Sequence, residues 1–127
     1  MSKVWTRPSH RDFNKSWAGD ASALVVAAAT TTTEDGSPMH FAQYDTGQAV
    51  AHFTLQAHTG GLATHQMGGF DREAVRAAFE LPENLTPLTV IAVGALGSLD
   101  STSDEVRARE NAPRTRRAIT DSVLINS

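Results

Sequence analysis

Two segments of the chain combine residue types suited to binding a ligand with a flat ring at one end and a phosphate at the other. Residues 64–70, Thr-His-Gln-Met-Gly-Gly-Phe, include glycine amides that no side chain shields, so a polar heterocycle can approach them closely. Residues 113–117, Pro-Arg-Thr-Arg-Arg, carry guanidinium groups that can each donate two parallel hydrogen bonds to a phosphate monoester. Either pattern alone is common, and it is their combination that indicates this kind of ligand.

The histidines do not show the spacing of a metal site. His52 and His58 lie on a predicted helix, where six positions turn them about 240° apart and away from a shared ion. The sequence contains no His-Xaa3-His pair. We therefore expect surface or hydrogen-bonded histidines and no bound metal.

Other catalytic patterns are absent or weak. The chain has no cysteine, which excludes thiolate nucleophiles, disulfides and cysteine-rich zinc sites. Neither Ser37 nor Ser98 lies in a Gly-Xaa-Ser-Xaa-Gly elbow, and residues 94–97 lack the remaining small positions of a dinucleotide fingerprint. The paired carboxylates at 34–35 and 104–105 lie at a turn and at a helix start, where solvated or capping roles outweigh acid–base catalysis.

Charge and hydropathy limit the partners. The net charge is −3, which is too little positive charge for a protein that holds duplex nucleic acid. The apolar run at residues 24–29 is far shorter than the roughly 20 residues that span a bilayer, and the N-terminus carries no apolar secretory segment. We expect a cytoplasmic protein with no nucleic-acid or membrane partner, folded as one domain over residues 1–127.

Two apolar segments predict strands. Residues 24–30 are short and apolar and end in a threonine run, which is typical of a buried strand followed by a surface turn. Residues 86–96 are longer and rich in β-branched side chains, which predicts a central strand. Residues 62–64 are compatible with extended backbone, whereas residues 65–69 show no periodicity and are interpreted as a loop.

A long helix is predicted between these strands. Asp45 precedes Gln48 by three residues, a spacing that favours a capped helix start. The helix is expected to run to about Thr59 and to end at the glycines 60–61. Its apolar side chains cover most of the circumference, so we expect burial on more than one side.

Two shorter helices follow. Asp71 is expected to cap a helix over residues 72–80. Its inward side chains are expected to be Val75, Ala78 and Phe79. Thr102, three residues before a glutamate, predicts a last helix that reaches about Glu110.

Five segments occur in the order and with the approximate spacing of a known family. They are residues 24–29, 42–49, 61–71, 90–94 and 113–117. Together they resemble the C-terminal part of the FMN-dependent nitroreductase family over roughly residues 16–125.

The resemblance implies an α+β fold, a mixed sheet flanked by helices, in a homodimer with FMN at the subunit interface. It also implies an FMN-dependent NAD(P)H oxidoreductase, in which NADH or NADPH reduces FMN and a nitroaromatic or quinone-like acceptor reoxidises it. The chemistry then belongs to the cofactor, so no catalytic acid or nucleophile of the protein is required.

The resemblance further implies which residues bind the cofactor. Residues 65–69 would line the isoalloxazine ring, with the amide of Gly68 donating to flavin N5. Arg114 and Arg116 would contact the FMN phosphate, helped by Arg117. The implied cofactor-binding set is His65, Gln66, Met67, Gly68, Gly69, Arg114, Arg116 and Arg117.

The chain departs from the family near its N-terminus. The family's Arg-Arg-Ser-like phosphate segment and its Ser-Xaa-Asn-Xaa-Gln-Pro-Trp type motif have no counterpart in this sequence. We therefore expect a fold truncated at the N-terminus, with residues 1–20 either poorly ordered or forming a substitute arm. In such an arm, Arg7, or His10 with Arg11, would contact the phosphate.

Two other functions stay open. A noncatalytic flavin-binding or interaction remnant of the family would bind FMN without oxidising NAD(P)H. A small α/β domain that holds an anionic partner through the arginines of 113–117 would bind in a salt-sensitive manner and without flavin.

Overall fold

The computed structural model describes residues 11–123, and it gives side chains for residues 13–123. Its helices and strands are α1 (Arg11–Ala18), β1 (Ala23–Thr30), α2 (Ala42–Thr59), β2 (Ala63–Met67), α3 (Arg72–Ala78), β3 (Leu85–Gly94) and α4 (Asp104–Glu110). The chain divides into two compact units, Met1–Gly97 and Ser98–Ser127. The first unit contains the sheet and the first three helices. The second contains α4 and two short 3₁₀ turns.

The three strands form one sheet in the order β1-β3-β2, with both pairings antiparallel. The predicted central strand is confirmed, because β3 pairs on both of its sides. Pro87 lies within β3 at a bulge opposite Ala28, beyond the last β2 pair at Met67 and Val90. Proline has no N–H to donate. Because Pro87 lies beyond the residues paired with β2, the hydrogen bonds between β2 and β3 are not interrupted. The α+β fold expected from the sequence is confirmed.

The two faces of the sheet support two apolar clusters, because side chains alternate along each strand. On one face, α1, α3 and the turn before α3 pack against the sheet. The buried members of this first cluster are Ala18, Met67, Phe70, Val75, Val90 and Ala92. On the other face, Val50 of α2 packs with Ile91 and Val93. The first cluster is the larger core of the unit.

The end of β2 differs from the prediction. Residues 65–67, interpreted as a loop, are strand residues whose partners in β3 are Ala92, Ile91 and Val90. The sequence Ala-Thr-His-Gln-Met is too short and too mixed in polarity to reveal a strand locally, and the ladder with β3 decides its conformation. The loop is therefore shorter than predicted and begins at Gly68.

The long helix is confirmed, with two corrections. It begins at Ala42, so Asp45 lies in its first turn rather than capping it, where a carboxylate still interacts favourably with the helix dipole. Its last residue is Thr59 and its C-cap is Gly60, as predicted, and Gly61 follows with a φ of 78°, which glycine adopts without strain. Within the single chain Val50 is its one buried residue, so the chain's own fold covers the helix on one side and not on the expected several.

The shorter helices confirm one predicted cap and correct the other. The carboxylate of Asp71 accepts hydrogen bonds from the amides of Glu73 and Ala74 at 3.1 Å. Phe79, expected inside, is 58% exposed because the helix ends before it. Ala78 is exposed as well, whereas Val75 is buried as predicted. In α4, Ser103 rather than Thr102 is the cap, and the helix ends at Glu110 as predicted.

The structure describes only part of the N-terminal stretch, residues 1–20. Residues 1–10, which include Arg7 and His10 of the proposed phosphate-binding arm, lie outside the described residues. Residues 11–18 form α1, and Ala18 is fully buried in the first cluster. The proposed arm and the single domain over 1–127 stay predictions. Among the described helices, none has the length and apolar character needed to cross a membrane.

Candidate functional site

The predicted ring-binding segment begins on β2, where three neighbouring side chains already have contacts within the protein. His65 is exposed, and its ring meets the Trp17 ring edge-to-face with centroids 4.8 Å apart. Gln66 is exposed on the opposite face, and its Nε2 donates to Thr54 Oγ1 of α2 at 3.3 Å. The Met67 side chain is 2% exposed in the first cluster. Met67 therefore offers a ligand its backbone alone.

The glycines after β2 form the open part of the segment. Gly68 is exposed, and a methyl group added at its Cα would meet no atom within 4 Å. The carbonyl of Gly69 accepts a hydrogen bond from Asn14 Nδ2 at 3.4 Å. The residues on either side, Met67 and Phe70, are buried. The exposed Gly68 and the half-buried Gly69 thus lie between two buried anchors.

The residues after the glycines fix the start of α3. The side chain of Phe70 is fully buried, and the guanidinium carbon of Arg72 lies 5.1 Å from the centre of its ring. The Nε of Arg72 also donates to the carbonyl of Pro87 at 3.2 Å. Together with the Asp71 cap, these contacts join the glycines to a well-defined helix start.

The arginines of the second unit fall into two groups. Arg107 pairs with Asp104 at 3.2 Å, and Arg109 pairs with Glu105 at 3.3 Å, along α4. The three arginines of the predicted phosphate-binding segment are exposed on irregular backbone, and within residues 13–123 no carboxylate lies within 4 Å of their nitrogens. They are Arg114, Arg116 and Arg117. The guanidinium of Arg116 donates to the carbonyl of Thr115 at 2.9 Å. The three arginines predicted to bind phosphate are therefore available to an external anion.

The predicted site residues lie in both units. Residues 65–69 belong to the first unit, and Arg114, Arg116 and Arg117 belong to the second. Of the first group, Gly68 offers exposed backbone, and the three arginines of the second group are exposed. That the two groups bind opposite ends of one ligand stays a prediction.

The acidic turn before α2 is held by its own hydrogen bonds. Thr33 Oγ1 donates to the Asp35 carboxylate, and the Ser37 amide donates to the same oxygen at 3.1 Å. The hydrogen bond from Thr33, followed by that from Ser37, holds the pKa of Asp35 below the ordinary value of 3.8. The carboxylate thus stabilises its own turn, in line with the structural role expected for it.

One open depression borders this turn. Its volume is about 430 Å³, and it is lined by Thr32, Thr33, Glu34, Gly36, Glu83 and Asn84. None of the predicted cofactor-binding residues lines it. Across the part of the chain that the structure describes, no three His, Asp or Glu side chains gather as metal ligands.

Two residues near the glycines were missed by the sequence analysis. Asn14 and Trp17 reach the segment from α1, which lies in the stretch predicted to be poorly ordered or a substitute arm. No local signal links Asn14 to a glycine 55 positions away. Phe13 and Trp17, four positions apart and so on one side of a helix, were a local indication that α1 packs against a core.

Comparisons with known proteins match the chain to one family. The model of the family described as "Nitroreductase family" matches residues 3–95. A 15.4 kDa protein from Mycolicibacterium smegmatis, described as uncharacterized, is 38% identical over 104 residues, which are 82% of this chain and 69% of that protein.

Solved structures show the same fold. A structure described as an oxidoreductase containing FMN superposes with a TM-score of 0.80 at 24% identity, over 89% of this chain and 59% of that one. A nitroreductase family protein from Clostridium difficile 630 superposes with a TM-score of 0.60 at 23% identity, over 85% of this chain and 61% of that one. An FMN- and NADPH-dependent nitroreductase from Sphigopyxis sp. strain HMH superposes with a TM-score of 0.61 at 14% identity, over 92% of this chain and 47% of that one. The chain therefore spans about three-fifths or less of these structures.

Proposed function

This chain belongs to the nitroreductase family, and from that premise we propose that it is an FMN-dependent NAD(P)H oxidoreductase that reduces nitroaromatic or quinone-like acceptors. Two structures of the same fold support the cofactor, since one is described as containing FMN and another as dependent on FMN and NADPH. The observation that carries the proposal is the exposed backbone at Gly68, which leaves room for a flat ring between two buried anchors.

The residues of the first unit fit the ring of a flavin. Space beside the Cα of Gly68 is open, so a planar heterocycle can lie against the backbone without displacing protein atoms. The buried side chains of Met67 and Phe70 hold that backbone in place. In the proposed complex the amide of Gly68 donates to flavin N5, with Gly69 and the backbone of His65 and Gln66 beside the ring, since the side chains of these two strand residues lie on opposite faces of the sheet.

The residues of the second unit fit a phosphate. Arg114 and Arg116 have no carboxylate partner among the described residues, so an external dianion does not compete with an existing ion pair. In the proposed complex these two guanidiniums bind the FMN phosphate, and Arg117 adds positive charge beside them. A bound FMN would supply the two-electron transfer from NAD(P)H to the acceptor. The protein's part is to bind and orient.

The long helix supports the homodimer in this proposal. Tyr44 and Leu55 are 66% and 65% exposed, although both are large and apolar. At about 100° per residue they lie on the side of α2 away from Val50. A second copy of the chain is the proposed partner for this face, since burial in a dimer would remove its apolar surface from water.

Uptake of FMN followed by turnover tests the function. The purified protein is mixed with FMN, freed of unbound ligand by gel filtration, and its visible absorption spectrum is recorded. We expect a yellow protein that oxidises NADH or NADPH when a nitroaromatic or a quinone is added. A colourless protein after this treatment would refute the cofactor assignment. Retained FMN without NAD(P)H oxidation would instead identify a noncatalytic flavin-binding module.

A further inference from the structure

Two hydrogen bonds hold the peptide groups on either side of the glycine pair. The hydroxyl of Thr89 on β3 donates to the carbonyl of Met67 at 3.0 Å. The side-chain amide of Asn14 on α1 donates to the carbonyl of Gly69 at 3.4 Å. Neither donor belongs to the glycine segment itself, so its conformation is set from two other elements of the same unit.

The bond from Thr89 acts on the amide of Gly68. A peptide group is planar, and the carbonyl of Met67 shares its plane with the N–H of Gly68. Fixing that carbonyl therefore fixes the direction in which the Gly68 N–H points. The bond from Asn14 does the same for the plane that joins Gly69 to Phe70. Among the residues that the structure describes, no side chain is seen to donate to the peptide between the two glycines.

The position of Asn14 is itself secured. Trp17 lies three residues further along α1, which places it on the same side of the helix. Its ring meets His65 of β2, and the next residue, Ala18, is fully buried in the first cluster. The Nε1 of Trp17 is buried without an acceptor among the described residues, so its apolar contacts hold it there against that cost.

We infer that Thr89 and Asn14 are positioning residues that set the backbone of Gly68 and Gly69 before a ligand arrives. The inference rests on the proposed function, in which that backbone binds the flavin ring. Preorganisation of this kind improves affinity because the binding energy is not spent on ordering the loop. It predicts equal effects on FMN and riboflavin, since both ligands carry the same ring.

Two variants remove the donors with little change in shape. Thr89→Val removes the hydroxyl, and Asn14→Asp removes the amide N–H groups. Matched controls come from the same unit. Thr31→Val removes a hydroxyl that contacts Asn84 and Thr86, and Asn84→Asp removes an amide that donates to the carbonyl of Thr32. None of the contacts of these controls involves the glycine pair.

Backbone 15N relaxation measured by NMR without added flavin tests the positioning directly. We expect lower order parameters at the amide of Gly68 in Thr89→Val and at the amide of Phe70 in Asn14→Asp, with both amides unchanged in the two controls. Binding titrations then measure the effect on affinity. We expect the affinities for FMN and for riboflavin to fall alike by roughly two- to tenfold, which corresponds to the loss of one net hydrogen bond.

The outcomes separate this inference from the proposed function. Unchanged order parameters at both amides in the two variants would overturn the positioning roles, whatever ligand binds. A loss confined to FMN would also overturn them, because it would indicate a phosphate effect. Failure of the unaltered protein to bind any flavin would overturn the proposed function and, with it, the role of these residues in flavin binding. Thr89→Ser and Asn14→Gln keep a donor and should retain the order parameters of the unaltered protein. If Thr89→Val or Asn14→Asp fails to fold, Thr89→Ala or Asn14→Ala removes the same donor and takes its place.

Discussion

Gly68 is the single residue on which the proposed ring site depends most directly. Its neighbours 65–67 are strand residues with contacts of their own, whereas Gly68 presents bare backbone with free space beside it. The absence of a side chain costs the protein nothing in packing at this point. We therefore expect a side chain at this position to affect ligand binding and not the stability of the free protein.

Gly68→Ala tests this expectation. No atom lies within 4 Å of the added methyl group, so the free energy of unfolding should change by less than about 0.5 kcal/mol. A ring packed on the backbone would meet that methyl group, and flavin affinity should fall by roughly tenfold, as overpacking predicts. Thermal unfolding and flavin titration measure the two quantities. Gly97→Ala is the control, with equal space and no predicted role. Unchanged flavin affinity would argue against a ring at Gly68.

The arginines give a second prediction at this scale. Arg114→Ala and Arg116→Ala should each lower the affinity for FMN by roughly ten- to a hundredfold, since each removes charge-assisted hydrogen bonds to the phosphate. Riboflavin lacks the phosphate, so its affinity should stay the same. Arg109→Ala is the matched control, because Arg109 pairs with Glu105 along α4. Equal losses for both ligands would show that the phosphate assignment is wrong.

Short elements of this fold depend on specific capping and pairing contacts. The helix α3 has seven residues, too few to be stable alone, and it packs one buried side chain, Val75, against the core. The Asp71 cap satisfies two of its free amides. Because α3 follows the glycine pair directly, its stability bears on the candidate site.

Asp71→Ala should therefore destabilise the first unit. Loss of the cap is expected to cost about 1 kcal/mol in the free energy of unfolding. Asp71→Asn keeps a good capping side chain and should recover most of this loss. Urea denaturation followed by circular dichroism compares the variants. Identical stabilities for the alanine and asparagine variants would show that the cap contributes little here.

The whole molecule raises the question of what covers its exposed apolar side chains. The outer face of α2 carries Tyr44 and Leu55, and we propose that a second copy of the chain covers it. An isolated chain with this face in water would lose the stabilisation that its burial supplies. The oligomeric state is thus the property that links the fold to the proposed function.

Leu55→Glu tests the dimer. A charge in the buried centre of a dimer contact is costly, so this variant should elute as a single chain of 13.6 kDa, whereas the unaltered protein should have twice that mass. Light scattering after gel filtration measures both. Gln56→Glu adds the same charge one position along, at an exposed residue about 100° further around α2, and should leave the dimer intact. Equal masses for Leu55→Glu and the unaltered protein would exclude this face as the contact.

The sequence by itself determined the features that neighbouring residues encode. The β-branched run of β3, the Asp71 cap and the glycines that end α2 were all read correctly, because backbone preference and capping act within one turn of chain. The order of five segments also identified the family, although it left the binding roles of 65–69 and 113–117 as predictions.

Only the tertiary structure decided the features that depend on distant partners. Residues 65–67 are a strand because β3 pairs with them, and Phe79 is exposed because α3 stops before it. Asn14 reaches Gly69 across 55 positions of sequence. Pairing and burial are properties of the folded chain as a whole, so no local pattern could have predicted which residues hold the glycine pair in place.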